Sequence, residues 1–139
     1  MLSIIALFAS PSIKTFEQNN ISKNDKNWKN FLDINMSEMI NNNQLIFLDI
    51  TADWCATCQF NKLNVLESKK IKSIFKKNNI LLVRADWTKP NKKIDNYLKK
   101  YNKFGIPFNA FFSLKYPNGI ILSELLTEQE IMESIELIK

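Results

Sequence analysis

The sequence predicts one α/β domain, a sandwich in which helices flank a mixed central β-sheet. Three observations predict it. The chain has 139 residues and 45% apolar content, enough to build one core. Strand-like apolar runs alternate with stretches of helical periodicity, and a hairpin followed by a helix closes the chain. The domain spans residues 28–139, and residues 1–27 form an apolar segment and a polar tether ahead of it.

Residues 1–9 are almost wholly apolar, but a helix needs about 20 residues to span a bilayer, so this stretch cannot cross alone. It lacks the charged start and the small-x-small cleavage site of an export signal. A short export signal, the end of a longer membrane helix and a piece packed on the domain all stay open. Residues 10–27 are rich in Asn, Ser and Lys, which suits a tether.

Residues 28–34 read as an edge strand or a first turn. Ser37 is expected to cap a short helix through Asn41, and Asn41, Asn42 and Asn43 then break the chain. Residues 45–50 are a strand buried on both faces. A helix is expected over 55–66 and another over 68–77, where Lys69, Lys70, Lys72, Lys76 and Lys77 form the wet face around Ile71, Ile74 and Phe75. Residues 80–85 are the next strand. Pro90 and Asn91 open a helix with Ile94, Leu98 and Tyr101 on one face, and Gly105 ends that region. Residues 108–114 form a third strand, Pro117, Asn118 and Gly119 a turn, and 120–122 a fourth strand in hairpin with the third. Thr127 and Glu130 are spaced as a capping box for a helix carrying Ile131, Ile135 and Ile138.

Composition excludes several chemistries. With no histidine, the chain cannot build a Ser-His-Asp or Cys-His nucleophile, a His-ligated zinc site or a His-held haem. Gly105 and Gly119 are its only glycines and lie apart, so neither a Walker loop nor a dinucleotide fingerprint exists. Two cysteines alone cannot hold a zinc ion or an iron-sulfur cluster. The +5 charge comes from lysines among asparagines and isoleucines, not from arginines among aromatics, so no nucleic-acid partner is expected.

The chemistry falls where the 45–50 strand meets the next helix. Cys55 and Cys58, three residues apart on a first helical turn, lie close enough to form a disulfide. Helix amides and dipole favour a thiolate on Cys55, which makes it the attacking group. Cys58, one turn deeper, is suited to resolve a mixed disulfide. A static disulfide and half of a shared zinc site are the alternatives. No cofactor is expected beyond the cysteine pair itself.

Asp49 interrupts the apolar strand. It reads either as a solvent-facing residue near the strand end or as a buried acid beneath the thiols, its neutral form favoured by desolvation, that exchanges a proton with Cys58. Trp54 shapes and shields the site, and Ile106 and Pro107 are expected to shape it with Trp54 and to contact substrate. Pro107, after Gly105 and Ile106, sits where helix meets strand; X-Pro bonds are mostly trans, and spacing alone gives no reason to choose cis.

The run from Asp49 through Trp54 to Cys58 resembles the active-site segment of thioredoxin-fold proteins, and Gly105-Ile106-Pro107 resembles their cis-proline loop. More narrowly, Thr51-Ala52-Asp53-Trp54-Cys55, Ala85-Asp86-Trp87-Thr88 and Gly105-Ile106-Pro107-Phe108-Asn109-Ala110 resemble the C-terminal periplasmic domain of DsbD-type thiol-disulfide reductases, including their copper-sensitivity-suppressor relatives. The resemblance implies a thioredoxin-like sandwich with Cys55 as nucleophile, Cys58 as resolving thiol, Asp49 as buried acid, and Pro107 as the cis-proline facing the disulfide. It implies electrons taken from a transmembrane electron-donor domain and passed to oxidised periplasmic thiol proteins. Two positions depart from the pattern: Lys62 stands where some members carry Glu, and Arg84 where thioredoxins often carry Lys.

The expected function is protein-disulfide reduction in the periplasm, with a tether to the inner membrane through the N-terminal segment or a parent chain. The alternatives are a cytosolic thioredoxin-like reductase and a non-catalytic thioredoxin-fold binding or assembly module.

Overall fold

In the computed structural model, which describes residues 26–139, five strands form one mixed sheet. They are β1 (Trp28–Asn30), β2 (Ile46–Thr51), β3 (Leu81–Asp86), β4 (Phe108–Phe112) and β5 (Ile120–Ile121). Their order is β1-β3-β2-β4-β5. β1 and β2 both run parallel to β3, while β4 is antiparallel to β2 and β5 to β4. The expected mixed sheet flanked by helices is therefore present. The 28–34 stretch is both things expected of it, an edge strand followed by a 3-10 turn at Phe31–Asp33. The apolar segment and most of the tether lie outside the described residues, and no helix among those described is long and apolar enough to cross a membrane.

The helices are α1 (Met36–Asn41), α2 (Ala56–Asn61), α3 (Lys69–Lys77), α4 (Lys92–Lys100) and α5 (Glu128–Ile138). Strand side chains alternate between two cores. Leu48, Ile50, Ala110 and Phe112 meet Phe31, Ile40, Ile94 and Leu98 on one face. Phe47 and Phe111, paired in the β2–β4 register, meet Val65, Ile71, Phe75, Ile131 and Ile135 on the other. β2 lies between two strands and is buried at every position, so its apolar run serves both cores.

The helix ends differ from expectation in instructive ways. α1 is capped by Asn35, whose Oδ1 accepts from the Glu38 amide at 3.2 Å, and not by Ser37, which falls inside the helix. The helix expected over 55–66 is α-helical only to Asn61 and continues as a π-helical turn at Lys62–Leu66, with the Glu67 amide reaching back to the Lys62 carbonyl at 2.8 Å. The wider turn brings consecutive Val65 and Leu66 into one core. The expected capping box at α5 is half made. Thr127 accepts from the Glu130 amide at 3.1 Å, but the Glu130 carboxylate turns away to take the Ser123 amide and hydroxyl, each at 2.8 Å.

Three helices stop on asparagine. Asn43, Asn79 and Asn102 follow α1, α3 and α4 with φ of 61°, 51° and 54°. In each case the next residue's amide reaches back to the last turn: Gln44 to Met39, Ile80 to Phe75 and Lys103 to Leu98, at 3.0–3.1 Å. Asn102 therefore ends α4, not Gly105, whose conformation needs no glycine. Gly119 does need one. Its φ is +82°, and a Cβ there would lie 2.5 Å from Phe112 Cε1.

Candidate active site

The loop from β2 into α2 holds the two cysteines, joined here as a disulfide. Cys55 occupies the cap position of α2, and its Sγ accepts from the Cys58 amide at 3.2 Å. A cap residue lends its side chain to otherwise unpartnered amides, and here the lender is sulfur. Cys55 is 7% exposed and Cys58 3%, which keeps the expected order of access while leaving both mostly covered.

A second loop fixes the first. The Trp87 amide donates to the Thr51 carbonyl at 2.7 Å, the Asp53 amide to Thr88 Oγ1 at 3.0 Å, and Trp54 Nε1 to the Thr88 carbonyl at 3.2 Å. Thr88 is held in turn by the Asp86 carboxylate, which accepts from its amide at 2.9 Å and from its hydroxyl. The Ala85-Asp86-Trp87-Thr88 stretch therefore splints the segment that presents the cysteines. Trp54, anchored by its indole nitrogen, is still 61% exposed and stands at the rim.

The facing wall is the loop before β4. The Ile106–Pro107 peptide is cis, as the family resemblance implies. Ile106, half-buried, packs against the small cluster of Ala52, Cys55 and Cys58. Two residues earlier, Phe104 is 82% exposed, an aromatic that the sequence reading passed over.

Asp49 is buried, so the solvent-facing alternative does not hold. Both carboxylate oxygens are used: Oδ2 accepts from Arg84 Nε at 2.9 Å and Oδ1 from Asn109 Nδ2 at 2.9 Å. These partners come from the strands on either side, since Asp49 is opposite Arg84 on β3 and Asn109 on β4. The Arg84 guanidinium also lies over the Trp28 ring, 3.8 Å from its centroid. Arg84 thus neutralises the charge that Asp49 carries inward, where an unpaired carboxylate would cost several kcal/mol. Lys62 is half-buried on the π-helical turn. Among the described residues no cluster of three or more His, Cys, Asp or Glu side chains is placed to hold a metal ion.

Sequence reasoning singled out both thiols, Asp49, Trp54, Ile106 and Pro107; it named Thr88 and Asn109 only within stretches of family resemblance, without a role, and gave Trp28 none. For Asn109 a signal existed, since it is a polar residue inside the apolar run of β4, as Asp49 is inside β2.

A family model described as thioredoxin-like matches residues 27–113. The thiol:disulfide interchange protein DsbD of Yersinia pestis is 37% identical over 68 residues, 48% of this chain and 11% of that protein. The DsbD of Campylobacter jejuni is 28% identical over 102 residues, 71% of this chain and 17% of that protein. The matched region is thus a small part of those relatives. Among solved structures, the oxidised C-terminal domain of Neisseria meningitidis DsbD superposes with a TM-score of 0.58 at 19% identity, covering 75% of this chain and 90% of that one. A thioredoxin from Thermus thermophilus gives 0.59 at 13% identity, covering 80% and 85%.

Proposed function

The chain belongs to the thioredoxin-like family as a thiol-disulfide oxidoreductase, and from that premise we propose that it is a protein-disulfide reductase working outside the cytoplasm. The observation that carries this reading is Cys55 Sγ at the head of α2, taking the Cys58 amide beside Ile106 and cis-Pro107.

In the reduced protein the same amide and the positive end of the helix favour the Cys55 thiolate. This thiolate attacks a substrate disulfide. The substrate S–S bond breaks, a Cys55–substrate bond forms, and the first substrate sulfur leaves as a thiolate that takes a proton from solvent. Cys58 then gives its proton to Asp49, and the Cys58 thiolate attacks Cys55 Sγ. The second substrate sulfur leaves and is protonated in its turn. The substrate has gained two electrons and two protons, and the chain is left with the Cys55–Cys58 disulfide. In a chain without histidine, Asp49, buried in the strand that leads into the cysteine loop, is the acid assigned to that proton transfer.

The electrons that restore the dithiol come from a transmembrane electron-donor domain, and the substrates are oxidised periplasmic thiol proteins. Similarity to DsbD over part of its length supports both partners and a periplasmic location, with tethering to the inner membrane through the N-terminal segment or a parent chain. The test is to mix the reduced protein with oxidised insulin and titrate new thiols. Transfer moves two thiols from the chain to insulin and leaves their total unchanged, so the insulin is separated first and its own thiols are counted: two per chain are expected, and none from Cys55→Ser; no transfer from the native protein, or unchanged transfer from Cys55→Ser, would overturn the reading.

A further inference from the structure

Among the described residues, Asn109 Oδ1 and Arg84 Nη2 are the buried side-chain atoms with no hydrogen-bond partner. Both belong to residues that already hold Asp49. An orphaned buried acceptor costs about 1–3 kcal/mol. The orphan acquires a use once the acid beside it gains a proton. A carboxylate accepts from both of its neighbours, as seen here, but a carboxylic acid must donate one O–H. Arg84 has no acceptor to offer. The side-chain amide of Asn109 has one, and its acceptor is the unpartnered atom.

We propose that Asn109 is a positioning residue for Asp49 whose amide turns over as the acid takes up a proton: Nδ2 donates to the carboxylate, and Oδ1 accepts from the carboxylic acid. The proposal rests on the reading that Asp49 receives the Cys58 proton. When that proton reaches the Asp49 oxygen facing Asn109, the Nδ2–H and the new O–H oppose each other. A half-turn of the amide replaces the clash by a hydrogen bond while the Arg84 bond to Oδ2 persists. When Asp49 releases the proton, the amide returns.

Other charges around Asp49 are few. β3 supplies Arg84, β4 supplies Asn109 and no charge, and β1 supplies Trp28 against the guanidinium. The helical segment that packs on Phe47 through Val65 and Leu66 also carries Cys58 and half-buried Lys62. α3 and α5 cover Phe47 and Phe111, and Lys70 of the one pairs with Glu128 of the other at 3.0 Å near solvent.

The experiment uses the full chain in its reduced form and follows the Asp49 carboxyl carbon and the Asn109 side-chain amide by NMR as pH is varied. The Asn109 signals should move with the same midpoint as the Asp49 carbon. Asn109 signals that stay flat while Asp49 titrates overturn the proposal and leave the reductase reading intact. An Asp49 carbon that never titrates overturns the proton-acceptor role of Asp49, and the proposal with it. In kinetics, Asn109→Leu should slow release of the second substrate thiol from the Cys55 mixed disulfide by about tenfold relative to the first attack, and shift its pH profile. Asn109→Ser, whose hydroxyl can donate and accept, should recover much of the rate. An Asn109→Leu rate and pH profile equal to those of the native protein overturn the proposal as well.

Discussion

Asp49 and Arg84 face each other across the parallel strands β2 and β3, with Arg84 Nε 2.9 Å from Asp49 Oδ2, and the guanidinium plane rests on Trp28. A planar cation can satisfy an anion along one edge and an aromatic ring with its face, which a lysine ammonium cannot do at once. The sheet edge formed by β1 is thereby tied to the acid at the sheet centre.

Removing one partner of a buried ion pair is costlier than replacing both. Arg84→Leu is expected to lose about 3 kcal/mol in urea unfolding at neutral pH, and Asp49→Leu combined with Arg84→Leu should regain most of that. Additive losses in the double variant would show that the two side chains act independently.

Cys58→Ser should trap the reaction half-way. With Cys55 free to attack and no thiol to resolve, adducts with oxidised protein substrates accumulate as bands that disappear on reduction in gel electrophoresis. Finding the adducts instead in Cys55→Ser would reverse the assigned order of attack.

The two glycines should differ in their response to alanine. Gly119→Ala meets both a positive φ and the Phe112 ring, and is expected to cost about 2–3 kcal/mol. At Gly105 an added Cβ meets nothing within 4 Å, so Gly105→Ala should fall within about 0.5 kcal/mol of the native protein. Thermal or urea denaturation of both variants decides this.

Burial, and then neighbouring Tyr101, hold the Tyr97 phenol well above the usual range. The folded protein keeps this proton while the unfolded chain releases it above about pH 10, so the stabilising contribution is present below that pH and declines as pH rises past it. Tyr97→Phe should flatten the alkaline fall in stability measured by urea titration. An unchanged slope between pH 9 and 11 would remove Tyr97 from the account.

Much of this was legible in the residues. The apolar run of β2, the thiols three apart and the helical spacing of Ile71 with Phe75 each announce a local structure, because period and turn chemistry are short-range. The network around Asp49 was not. Arg84 and Asn109 lie 35 and 60 residues from it in sequence, and only the β3-β2-β4 strand order makes them neighbours. The helix ends differ from expectation on a shorter scale. At α1 the cause is local, since the helix begins at Met36 and Asn35, not Ser37, stands at its cap; at α5 the Glu130 carboxylate leaves its own helix end for Ser123, which the chain brings within reach.

The asparagine stops after α1, α3 and α4 also bear on the state that the fold leaves behind. A chain with glycine at Asn43, Asn79 and Asn102 would enter the left-handed region more easily, but it would also sample far more backbone conformations when unfolded. Asparagine accepts some strain in the native turns and in exchange leaves a denatured ensemble with less freedom to lose. The scarcity of glycine in this sequence is thus a property of its unfolded state as much as of its folded one.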